Sequence, residues 1–121
     1  MTSWAYGSKT GQLLKDGVVF STGYSGIDAG YNNPDKESVH DVGPIPRGEF
    51  NIGSFFNDPR FGPTVAHLYP RPGTNVFGRD GFLIHGDSSA HPGKASHGCI
   101  ILPSFARVAI RDSNIRRITV F

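Results

Sequence analysis

The chain has 121 residues, a formal net charge of +2 and one cysteine. That length suits a single domain with its own core, the charge is too small to argue for nucleic acid as a partner, and a lone cysteine excludes an intramolecular disulfide. Glycine (16) and proline (9) together fill about a fifth of the chain while apolar and aromatic residues recur throughout, which implies short strands joined by many turns rather than disorder.

Ser3-Trp4-Ala5-Tyr6 alternates polar and apolar and reads as a first strand. Gly7–Gly11 is a turn cluster, Gln12–Leu14 a second strand, and Lys15-Asp16-Gly17 an Asp-Gly turn into a third strand, Val18–Thr22. Three strands so joined predict a meander. Tyr24–Asn33 reads as a loop in which Tyr24 and Tyr31 are candidates to line a groove. Gly43-Pro44-Ile45-Pro46-Arg47-Gly48 is a proline-fixed turn that feeds a strand placing Phe50 and Ile52 on one face. Ser54–Pro63 reads as another loop, with Asp58-Pro59 as its turn signal, and Thr64–Tyr69 as a strand with His67 on its surface or core edge.

Gly81–His85 is the expected central strand, and Ile100–Leu102 another. Pro103–Arg111 is the one good helix pattern. Proline suits its first turn, and Phe105, Val108 and Ala109 recur at helical spacing as its apolar face. Asp112-Ser113-Asn114 closes it, and Ile118–Phe121 reads as a last strand paired in the sheet. Arg107, Arg111, Arg116 and Arg117 read as a solvated helix face and strand end. No apolar run reaches the ~18 residues of a membrane span. Met1-Thr2-Ser3-Trp4 has neither the basic nor the apolar region of a secretory signal. Synthesis in the cytoplasm is therefore expected, with any export left to other means.

Chemistry concentrates in Gly81-Phe82-Leu83-Ile84-His85-Gly86-Asp87 and Ser96-His97-Gly98-Cys99-Ile100-Ile101-Leu102. These segments and the loop between them hold the only cysteine and three of the five histidines, His85, His91 and His97. A strand that delivers His85 and a loop that returns Cys99 to the same sheet edge bring a thiol within reach of an imidazole. A thiol attacks as thiolate, with a free pKa of about 8.5, and a histidine can take its proton. Gly98 lets backbone approach a substrate, so N–H groups near Cys99 can hold an oxyanion. His85 is favoured as the base over His97, because its separation in sequence allows an independent approach. His97 then shapes the pocket, and His91 lies in an exposed loop. Two other readings stand beside this one. Cys99 is a buried structural thiol, or His85, Asp87, His97 and Cys99 bind zinc, although no short zinc spacing is matched.

Ile84-His85-Gly86 followed by Ser96-His97-Gly98-Cys99-Ile100 resembles the signature of YkuD-type L,D-transpeptidases. The turn and strand Gly43–Ile52 resemble that family's Thr-Pro-x-Gly-x-Phe segment. Several stretches are more similar still to one branch, the L,D-transpeptidase-like effectors of type VI secretion: Ser3–Tyr6, Gly23–Gly26, Asn32–Pro34, Asp41–Gly48, Phe77–Asp87 and Gly98–Pro103. The resemblance implies a mainly β fold, a small sandwich or barrel of short strands with one helix after the cysteine. It implies Cys99 as nucleophile, His85 as general base oriented by the Gly86 carbonyl, and His97 as support. Ser96, Gly98, Arg79 and Tyr24 would contact substrate.

The implied substrate is the stem peptide of bacterial peptidoglycan. Attack at diaminopimelate would expel terminal D-alanine and leave a thioester, which water or a free D-amino acid would resolve. No cofactor is implied. Implied partners are a secretion-apparatus component and a cognate immunity protein, and the implied place of action is the periplasm of target bacteria. Many relatives carry arginine where this chain has Ile101, so Arg79 or Arg47 is the expected substitute charge.

Overall fold

The computed structural model describes residues 3–121. In chain order it has β1 (Trp4–Tyr6), β2 (Gln12–Lys15), β3 (Val18–Thr22), β4 (Gly48–Ile52), β5 (Phe56–Asp58), β6 (Gly62–Pro70), β7 (Leu83–His85), β8 (Ile100–Ile101), helix α1 (Ser104–Ser113) and β9 (Arg117–Val120). The first three strands form the expected antiparallel meander. Its second turn is the Asp-Gly turn, with Asp16 at φ 53° and Gly17 at φ 81°, the geometry that matches the twist of a hairpin. β4 buries Phe50 and Ile52 on one face, as the period of two requires.

Neighbouring strands run β3-β2-β1-β9-β4-β6-β7-β8, with β5 paired beside β6. The β1–β9 and β7–β8 pairs are parallel. Beyond β3, Tyr24 exchanges backbone hydrogen bonds with Ile101 of β8, at 3.1 and 2.8 Å. That bridge ties the two ends of the path together and draws the curled sheet into a ring, the mainly β fold with one helix that the resemblance implied.

Inside the curl, Tyr6, Leu13, Phe50, Ile84, Ile100, Leu102 and Ile118 are fully or almost fully buried. The helix contributes Ala106 and Ile110 to this cluster. The apolar face expected from Phe105, Val108 and Ala109 is therefore rotated. Phe105 is 59% exposed, and the buried helix residues are Ala106, Arg107 and Ile110. Arg107 explains the difference. Rather than lying on a solvated face, its guanidinium turns inward and donates to the carbonyls of Leu102 (3.0 Å), Pro63 (2.7 Å) and Thr64 (3.2 Å). A buried cation is tolerable when backbone oxygens satisfy it.

The Ser54–Pro63 segment is also more ordered than a loop. Its middle is β5, which pairs with β6 through Phe56 and Val65. Asp58 stands at the hairpin turn, where its Oδ1 accepts from the backbone N–H of Arg60 (2.7 Å) and Phe61 (3.0 Å). This short-range bonding is what an aspartate does at a turn. It fixes the Arg60-Phe61 tip above the end of β7.

Candidate active site

His85 ends β7, and its backbone is held on the β8 side by a hydrogen bond from the Leu102 N–H to the His85 carbonyl, 3.1 Å. The side chain is completely buried. Its Nδ1 lies 2.7 Å from the Gly86 carbonyl. A carbonyl only accepts, so Nδ1 carries the proton and Nε2 presents its lone pair. Nε2 has no hydrogen-bond partner. Phe61 stacks on the ring with centroids 4.0 Å apart and planes at 19°. Burial holds the imidazole pKa below its ordinary value against the raising effect of the Gly86 bond, and the Arg107 charge lowers it further. The geometry and the electrostatics agree on a neutral ring with a free basic nitrogen.

A side chain at Gly86 would have to displace a buried guanidinium. A Cβ there would lie 2.8 Å from Arg107 Nη2. The buried arginine thus packs directly under the turn whose carbonyl orients the imidazole.

Cys99 precedes β8 and is half-buried. The parallel register Ile84↔Ile100 and His85↔Ile101 sets the cysteine level with Leu83, two residues short of His85 along the neighbouring strand. Its Sγ donates to the Gly81 carbonyl at 3.8 Å. Desolvation pushes the thiol pKa up to about 11, although a bond from the Leu83 backbone N–H and the charges of Arg60 and Arg79 favour the thiolate. The thiol and the imidazole are therefore neighbours that are not hydrogen-bonded to one another in this resting arrangement.

The loop before the cysteine is built on Ser96, which is fully buried. Its hydroxyl donates to the Cys99 carbonyl (2.7 Å) and accepts from the Gly26 N–H (2.8 Å) and the Gly98 N–H (3.3 Å). Gly98 has φ 125°, and a Cβ on it would stand 2.5 Å from Arg79 Nη2. His97 is exposed and held through Nδ1 by the Asp41 carbonyl, 3.0 Å.

A cleft of about 840 Å³ opens over these groups. His85, Gly86, His97 and Cys99 all line it, together with Arg60, Phe61, Gly81, Asp80, Asp41 and Lys94. The other four residues expected at the site lie elsewhere. Ser96 and Gly98 are buried behind the cysteine. Arg79 is buried too, and its guanidinium donates to the carbonyls of Pro44 (2.8 Å), Gly43 (2.9 Å), Glu37 and His97 (3.3 Å). Its charge is spent on bracing loops. Arg47 is no substitute, since its guanidinium is paired with Glu37, Nη2 to Oε2 at 2.7 Å. Tyr24 faces a separate groove of about 450 Å³ and stacks on Tyr31, centroids 4.9 Å apart. Its hydroxyl donates to Asp87 Oδ1 (2.6 Å) and accepts from the Ala95 N–H (2.9 Å), which pins the loop between the histidine and the cysteine. Burial and the Asp87 bond both raise its pKa.

Asp87 lines the cleft but is tied down by the bond from the Tyr24 hydroxyl. Its carboxylate also accepts from the Ser88 and Gly93 N–H groups. The four residues weighed as zinc ligands do not converge, and among the described residues no three histidine, cysteine or acidic side chains gather closely enough to hold a metal ion. Three participants carried no sequence signal: Phe61, Arg60 and Arg107. An Arg-Phe pair on a turn and an arginine in a helix are ordinary until the fold places them.

A family model described as the Tlde1 domain matches residues 20–120. No curated protein matches the chain. Among solved structures it is similar to LD transpeptidase LdtMt1 in complex with imipenem, at 18% identity and TM-score 0.54. It is also similar to an L,D-transpeptidase from Mycobacterium smegmatis, at 20% identity and TM-score 0.51. Each alignment covers 99% of this chain and 58% of the solved chain, so the protein spans somewhat over half the length of these structures. At such identity the likeness is one of fold.

Proposed function

The chain belongs to the Tlde1 domain family, the type VI secretion branch of L,D-transpeptidase-like effectors, and on that premise we propose that it modifies peptidoglycan through Cys99. The reaction is L,D-carboxypeptidase cleavage of the diaminopimelate–D-alanine bond in tetrapeptide stems, with exchange of the terminal D-amino acid as its partner reaction. The observation that carries this reading is the unpartnered Nε2 of a buried, neutral His85 beside the only cysteine, in one cleft. The fold of the L,D-transpeptidases supports it.

Chemistry follows from that pair. Bound stem peptide displaces the thiol from Gly81, and the Sγ proton passes to His85 Nε2. The sulfur attacks the diaminopimelate carbonyl, while backbone N–H groups beside Cys99 hold the developing oxyanion. The Gly86 carbonyl accepts from Nδ1–H throughout and favours the imidazolium as it forms. Collapse breaks the C–N bond, the amine of D-alanine takes the proton from Nε2, and a thioester remains. Water attacks it with His85 as base to give the tripeptide stem, or the amine of a free D-amino acid gives an exchanged stem. Either product removes a donor for wall cross-linking. The effector role is then antibacterial, exerted in the periplasm of target cells after delivery by a secretion-apparatus component, with an immunity protein guarding the producer.

Mass analysis of muropeptides tests this. Wild-type protein is expected to release D-alanine and leave tripeptide stems, and an added D-amino acid to divert product to exchanged tetrapeptide. Cys99→Ala should release none, and His85→Ala should lose at least ~100-fold, the usual worth of a general base, with a milder loss for His97→Ala. An unchanged muropeptide profile with the wild type would favour the other reading, a non-catalytic peptidoglycan-binding module. The raised pKa of the thiol is the observation on that side.

A further inference from the structure

The proposed substrate ends in a carboxylate one residue beyond the bond to be cut, and the cleft must meet that charge. Three other cations are committed elsewhere: Arg79 and Arg107 are buried on backbone carbonyls, and Arg47 is paired with Glu37. Lys94 lines the cleft, in an exposed ion pair with Asp28 at 3.1 Å, and has no stacking partner to orient it. Arg60 is different. It is exposed, lines the cleft with His85 and Cys99, and its guanidinium makes no ion pair among the described residues. Its guanidinium carbon sits 4.5 Å from the centroid of the Phe61 ring, and Phe61 in turn stacks on His85. Guanidinium, phenyl and imidazole thus form one pile anchored at its base by the buried histidine. Asp58 fixes its upper end through the two N–H bonds at the hairpin turn. A planar cation stacked on an aromatic face keeps its N–H edge free and oriented, which suits a carboxylate.

We propose that Arg60, at the β5–β6 hairpin tip, is the residue that binds the C-terminal carboxylate of the peptide held in the cleft and so selects stems that end at the fourth residue. This rests on the peptidoglycan reading above and adds a recognition residue to it. Arg60 feels the reacting groups as well: its charge favours the Cys99 thiolate and disfavours the His85 imidazolium. The carboxylate it binds belongs to the leaving residue, so grip and position come from one contact. The acidic residues on the cleft wall, Asp41, Asp80 and Asp87, offer nothing to an anion; Asp41 and Asp80 suit the amino group of diaminopimelate instead.

Binding to the Cys99→Ala protein, by calorimetry or by NMR titration, separates recognition from reaction. The ligands are the free tetrapeptide stem, the same peptide with its C-terminus amidated, and a third version amidated only on the diaminopimelate side-chain carboxylate. We expect the C-terminal amide to bind about tenfold more weakly, the scale of one charge-assisted hydrogen-bonded pair. Arg60→Gln should abolish that preference while leaving the amide's affinity unchanged, and Arg60→Lys should recover part of it. A preference that survives Arg60→Gln overturns the assignment. So does a preference that follows the diaminopimelate carboxylate, or no preference at all. Cleavage by the wild type is measured separately. If the peptide binds with this pattern but is never cut, the mechanism fails and the recognition residue stands.

Discussion

Cys99 and His85 form a pair poised in space but not engaged. The thiol faces the Gly81 carbonyl and holds its proton to about pH 11, while Nε2 of His85 stands free. Iodoacetamide should therefore alkylate the resting protein slowly near neutral pH, with a rate that climbs through the alkaline range towards a midpoint near 11. His85→Ala should leave that resting profile unchanged although it is expected to slow the proposed reaction at least ~100-fold. A midpoint well below the ordinary ~8.5 would show that the thiol is already paired with the imidazole. The same shift links to stability. Above ~8.5 the unfolded thiol ionises while the native one does not, so the group's contribution is lost as pH rises from there to the native value. In the sequence the proposed nucleophile, base and orienting carbonyl stand out together, because glycines and short strands flank Cys99, His85 and Gly86 in a recognisable order. Arg60 and Phe61 do not, since their meaning arises only when a hairpin folds them over His85.

At the level of elements, the single loop between β7 and β8 sets the site, and glycine geometry shows how unevenly it is held. Gly98 and Gly93 both have positive φ, 125° and 80°. Around Gly93 a Cβ would meet nothing within 4 Å, whereas at Gly98 it would collide with Arg79. Gly93→Ala should cost about 1 kcal/mol, the ordinary penalty for a left-handed alanine. Gly98→Ala should cost about 3 kcal/mol and also displace the Arg79 brace, which touches the His97 carbonyl. Urea unfolding of the two variants gives the comparison, and equal losses would mean that Arg79 yields without resistance. The helix shows why element faces are harder to read than element positions. Its extent follows from Pro103 before it and Asn114 after it, the latter at φ 58° as a left-handed cap. Its buried face does not, because Arg107 counts as polar in any pattern but finds three carbonyls inside.

For the molecule as a whole, β9 is the keystone of the ring. It lies between β1 and β4, parallel to one and antiparallel to the other, so the end of the chain joins its beginning to its middle. Sequence alone marks Ile118–Phe121 as a strand, but which strands it joins depends on long-range pairing that no local pattern encodes. Ile118 is completely buried there, and Ile118→Ala should cost about 3 kcal/mol, a large share of the 5–15 kcal/mol typical of a domain. Val19→Ala, at a site 51% exposed, should stay within about 0.5 kcal/mol. Denaturant midpoints decide between them, and a small loss at Ile118 would mean that the core closes over the truncated side chain. The desolvation that raises the Cys99 thiol pKa has a last consequence for such a molecule. Peroxide attacks thiolates rather than thiols, so the first step towards irreversible sulfinic acid is slowed for a sulfur that keeps its proton. With no second cysteine in the sequence to form a rescuing disulfide, the retained proton is the protection this sulfur has.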